Sequence, residues 1–152
     1  MKKITVLIAI ISILSVFLVT DSSARSGMKW KGSGDWGMGS QYSNMYDPKT
    51  VETIKGDVVR VDKVTPMKGM SYGVHLTVKT EGETVSVHLG PGWYIENQDI
   101  KIEPKDSVEI KGSRISFEDK PTPIAAEVKK GVETLKLRDE NRIPAWSSWR
   151  RP

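Results

Sequence analysis

The stretch from Gly73 to Gly90, GVHLTVKTEGETVSVHLG, constrains the fold more than any other part of the chain. Two runs of alternating apolar and polar residues flank Glu81-Gly82, and a two-residue turn at that dipeptide makes them a β-hairpin. Thr80 then faces Glu83, and the register follows from the turn. Val74, Leu76 and Val78 oppose Leu89, Val87 and Val85 on one face, which must be a core because strand side chains alternate sides. The other face carries His75, Thr77 and Lys79 opposite His88, Ser86 and Thr84. The two histidines of the chain therefore become direct cross-strand neighbours, expected on the solvent side.

The surrounding sequence is β in texture. Residues 51–138 hold 12 Val and 7 Ile against 4 Leu, and β-branched side chains suit a pleated sheet. Turn signals at Pro66 to Gly73, Glu81-Gly82, Gly90 to Gly92, Pro104 to Asp106, Glu118 to Pro121 and Lys130-Gly131 predict strands at about 51–64, 73–80, 83–89, 107–117, 122–129 and 132–138. Gly56 interrupts the first strand, where a missing side chain permits a bulge or bend. The link from Gly90 to Asp106 has the apolar surface to plug one barrel end, with room for no more than a short helical turn. The expected fold is all-β: one OB-like closed barrel of five or six strands over 51–138, with a flexible N-terminal arm and a C-terminal tail.

The order of bent strand, hairpin, tryptophan-containing link and closing strands carries the motif Pro104, Asp106, Val108, Ile110 and Gly112. It resembles the small exported bacterial OB-fold proteins of the periplasm. That resemblance implies a binding or stress-related module without catalytic apparatus, and it transfers no functional residue. The chain departs from the pattern in its Gly/Trp/Met arm and its tail.

Residues 1–24 read as a signal peptide. Lys2 and Lys3 precede an uncharged run from Ile4 to Thr20, and Ser22 and Ala24 supply the small residues of a cleavage site after Ala24. The expected location is periplasmic or secreted; the alternative is an uncleaved anchor, since 17 residues reach the lower edge of a membrane span. Residues 25–50 combine five glycines with Trp30, Trp36, Tyr42 and Tyr46, and should be mobile unless these aromatic residues dock. Residues 139–152 add Trp146 and Trp149 among charged side chains, either as a tail that folds back to cover the open barrel edge or as an exposed anchor for a partner protein or an anionic surface. Tryptophan and tyrosine bring large contact area at small entropic cost. Trp30, Trp36, Trp93, Trp146 and Trp149 are thus the candidate contacts for a protein partner.

Charge argues against nucleic acid as that partner. The net charge is +4, yet residues 51–138 hold 14 basic and 14 acidic side chains, so the barrel has no surplus to neutralise phosphate. The hairpin's polar face also lacks the aromatic platform on which bases stack.

No nucleophile with a base and an orienting group can be assembled from the sequence, which has no cysteine. An exported, non-catalytic binding module is therefore the leading reading, acting through protein or small-ligand contacts. The alternative is soft-metal binding. Opposed residues have Cβ atoms about 5 Å apart, so His75 and His88 could share Cu(I) with the thioether of Met67 or Met70. On the same register Trp93 would face Met70. The competing structural reading is an exposed histidine pair beside two methionines that only pack a loop.

Overall fold

The computed structural model describes residues 34–148. Six strands form in this span: β1 (Val51–Val64), β2 (Gly73–Lys79), β3 (Thr84–Pro91), β4 (Ser107–Phe117), β5 (Lys120–Lys130) and β6 (Glu133–Lys136). They are ordered β3-β2-β1-β4-β5-β6, and a parallel contact of β3 with β5 at His88 and Ile124 closes the first five into a barrel. β6 extends β5 outside the closure. One short helix, α1 (Gly92–Ile95), follows β3 where the link was expected to plug the barrel.

Local chemistry explains the boundaries. The Thr80 amide donates to Glu83 O, so Glu81-Gly82 is the two-residue turn and the register of His75 to Lys79 against Thr84 to His88 is as deduced. The next pairs are shifted: Val74 opposes Gly90, not Leu89, because Leu89 is the extra residue of a β-bulge. Val74, Leu76, Val78, Val85, Val87 and Leu89 are nonetheless all buried. The β4–β5 turn places Glu118 and Asp119 at φ 51° and 63°, the left-handed pair of a type I′ hairpin turn. β5 begins at Lys120 instead of 122. Its Pro121 and Pro123 pair only with β4, and a strand with one free edge tolerates residues lacking an N–H.

The bulge expected at Gly56 lies instead between Val58 and Arg60. Gly56 has a different reason to be glycine: a Cβ there would sit 2.4 Å from Lys79 O. It lets β2 cross close to the point where β1 leaves β4.

A second layer lies over the barrel. The stretch from Gly34 to Thr50 contains three 3-10 turns, Gly34–Trp36, Ser43–Met45 and Pro48–Thr50, and its Trp36, Tyr42 and Tyr46 are buried. The docking that would immobilise this part of the arm is thus realised. Trp36 lies against Gly73, where a Cβ would meet its ring at 2.5 Å, and Trp146 lies against Gly90, where a Cβ would meet its ring at 2.8 Å. The two indoles meet edge to face at 6.4 Å, and Trp146 Nε1 donates to Trp36 O at 2.9 Å. Tail and arm therefore lock each other onto the barrel.

Candidate functional site

The cross-strand pairing puts His75 directly opposite His88, with ring centroids 3.6 Å apart and planes within 13°. Burial differs from the expectation. His75 is 6% and His88 2% exposed, because the arm covers this face of the hairpin. Tyr42 stacks on His88, Phe117 meets it edge-on at 5.1 Å, and the Tyr42 hydroxyl shares a hydrogen bond with His88 Nδ1 at 2.9 Å. On the far side, Asp62 of β1 is the register partner of His75. The row Asp62, His75, His88 thus crosses three strands and ends under Tyr42.

This enclosure keeps both imidazoles neutral. Burial lowers the His75 pKa to about 4, with the Asp62 carboxylate acting weakly the other way. Burial lowers that of His88 to about 3, reinforced by His75 and Arg138 nearby. Burial likewise pushes the Tyr42 phenol well above its ordinary value. Nε2 of His75 is buried without a hydrogen-bond partner among the described residues.

The donor set does not fit a shared metal ion. Imidazole lone pairs lie in the ring plane, and an ion about 2 Å from both nitrogens would have to lie in two parallel planes at once. Met67 and Met70 line a small cleft of about 110 Å³ with Asp35, Ser40, Gln41, Tyr42 and Lys68, and without either histidine. Both methionines are half-buried and pack on the core. Trp93 does not face Met70, because the β2–β3 ladder stops at Gly73 and Pro91 and Trp93 falls in α1. No group of three or more His, Cys, Asp or Glu side chains converges to hold a metal among the described residues.

The aromatic candidates divide similarly. Trp36 and Trp146 are 2% and 1% exposed and serve the protein's own interior. Trp93 is half-buried against the core. Trp30, Trp149 and the signal segment lie outside the described residues.

Two features escaped the sequence. Arg138 is buried, and its Nη1 donates to Leu89 O of β3 at 2.9 Å and to Ala125 O of β5 at 2.6 Å, with the guanidinium over Trp146. It bridges the seam where the barrel closes. The second feature is a groove of about 910 Å³ between the outer faces of β4 to β6 and the tail. Lys111, Glu127, Lys136, Asp139 and Glu140 line it, with Tyr46 at one side. Charges of both signs suit a polar or zwitterionic partner better than a polyanion. Neither feature has a local signature, since both arise from the tail folding back.

No curated protein matches the chain. A family model does match, over residues 50–135, which begins one residue before β1 and ends inside β6. The match covers more than half of the chain and coincides with the barrel, so the protein belongs to the MamS/MamX magnetosome protein family.

Proposed function

We propose that this protein is an exported, non-catalytic binding module that acts at the magnetosome through contacts with a protein or small ligand. The observation that carries this reading is the family match over the whole barrel. The fate of the side chains able to do chemistry supports it. Both imidazoles are enclosed and neutral at physiological pH, and the Tyr42 phenol is held protonated. These groups stack and hydrogen-bond with one another, as packing elements do. The mixed-charge groove between β4 to β6 and the tail offers a concave surface for a ligand or partner. Export rests on Lys2, Lys3, the uncharged run to Thr20 and the small residues Ser22 and Ala24.

Fractionation of the native host tests the reading. The protein, followed by antibody, is expected to co-purify with magnetosomes and to survive a wash in moderate salt. Recovery in the soluble cytoplasmic fraction alone would overturn it.

A further inference from the structure

The second half of β1 presents an edge that nothing among the described residues pairs. β1 runs with β4 only from Val51 to Asp57. Val58 is then taken by the loop, its N–H donating to Asp106 O and its carbonyl accepting from the Lys105 amide. From Val59 onward β2 is the sole strand partner. The ladder fixes which backbone groups are free. Thr80 hydrogen-bonds across the hairpin to Glu83, so alternation along β2 turns the amides of Thr77 and His75 toward β1. Their partners Arg60 and Asp62 face β2, and the N–H and C=O groups of Val61 and Lys63 point away from it.

Edges of this kind are normally blunted by charge. Here the charges do not do so. Arg60 and Asp62 pair with each other at 2.6 Å, and Lys63 is drawn to Glu96 at 3.2 Å and over the Tyr72 ring. What remains on the strand is apolar: Val59 is 54%, Val61 36% and Val64 40% exposed. The stretch Val59-Arg60-Val61-Asp62-Lys63 is also self-complementary when run antiparallel to itself. With Val61 opposite Val61 of a second copy, Arg60 of each copy faces Asp62 of the other, in the closely spaced positions beside a hydrogen-bonded pair. The neighbouring register that still pairs outward-facing groups sets Val61 against Lys63, and brings Asp62 against Asp62. Like charges directly opposed disfavour it.

We infer that β1 of one copy pairs with β1 of a second copy, antiparallel and centred on Val61, to give a symmetric dimer with a sheet continuous across both barrels. The pairing stands on the barrel's geometry alone and is independent of the magnetosome reading. A ladder this short falls below the area of a standard stable interface, so the dimer forms reversibly at high concentration.

Sedimentation velocity on the protein as it accumulates in its host, over a concentration series up to about 1 mM, reads this directly. The expected result is a concentration-dependent dimer. Arg60→Asp should weaken it at least about tenfold, the loss of an opposed charge pair and the gain of a repulsion at two symmetric positions. The exchange Arg60→Asp with Asp62→Arg should restore it, since self-complementarity returns. Circular dichroism of each variant reports that the barrel is intact. A monomer at every concentration, or a dimer indifferent to the single charge reversal, overturns the assignment. A photo-crosslinking residue replacing Val59 should join two copies of this chain in cells; exclusive crosslinking to a different protein overturns the homotypic pairing.

Discussion

Lowering the pH from 7.5 to 5.5 should destabilise this protein through its two histidines alone. Unfolded, each imidazole titrates near the ordinary value of about 6.5. Folded, enclosure holds His75 to about 4 and His88 to about 3. Below the unfolded value the unfolded chain binds more protons than the folded one, so stability falls as pH falls. At pH 5.5 the unfolded imidazole is about nine-tenths protonated while both folded rings are still neutral. Linkage then gives about 1.4 kcal/mol lost per histidine and about 3 kcal/mol for the pair, relative to pH 7.5. The loss continues to grow until the pH approaches the folded values. The window matters, because Glu83, Glu96 and Asp106 have carboxyls held below their usual range by Arg114, by Tyr72 and Lys63, and by the Glu103 amide and Lys130. Their contributions disappear only at more acid pH. Urea unfolding followed by tryptophan fluorescence at the two pH values measures the difference. His75→Phe should halve the pH dependence whatever it does to absolute stability. A difference under about 1 kcal/mol in the parent protein would mean that the rings are solvated, and that the enclosure argued from Tyr42 and Phe117 is wrong.

Other expectations follow from the packing and the leader. Trp146→Ala removes a fully buried indole and its hydrogen bond to Trp36 O, and should cost about 3–5 kcal/mol in the same unfolding assay. Gly90→Ala forces a methyl to within 2.8 Å of the Trp146 ring and should cost about 1–3 kcal/mol, whereas Gly82→Ala, with open space around it, should change stability by a few tenths. Anaerobic Cu(I) titration should give the same affinity for the parent and for His75→Ala/His88→Ala, given the parallel rings. Mass spectrometry of the exported protein should find a chain beginning at Arg25.

The hairpin was legible because its information is local. Alternation and a two-residue turn determine the register of His75 with His88 without reference to any other element. The identity of the strands was legible for the same reason, down to the length of the turn joining β2 and β3. What the sequence did not disclose was the environment of the polar face. Strand periodicity says which side chains share a face; it does not say whether that face meets water. Here the cover comes from Trp36 and Tyr42, some 30 to 50 residues upstream, seated through Gly73 and a single hydroxyl contact. Glycine at position 73 could have been read as a seat for an aromatic ring, but only with knowledge of which ring arrives. Asp62 was missed because the bulge at Val58 to Arg60 resets the β1 register, and bulges carry no reliable local signal. Ring orientation speaks against the copper reading. Cross-strand proximity of two imidazoles is necessary for a shared ion, and it is equally what stacking requires.

The seam between β3 and β5 is joined by one parallel pair and by the guanidinium of Arg138, which reaches both strands from beyond the last of them. A nascent chain therefore lacks the guanidinium clamp across this seam until residue 138 has left the ribosome. Until then, all six strands can be present as a curled sheet whose seam rests on the single β3–β5 pair. Truncation only slightly upstream of Arg138 should leave such a sheet, prone to sticking to its neighbours. The last dozen described residues, outside the family's common barrel, would then decide whether synthesis ends in a soluble molecule or an aggregate.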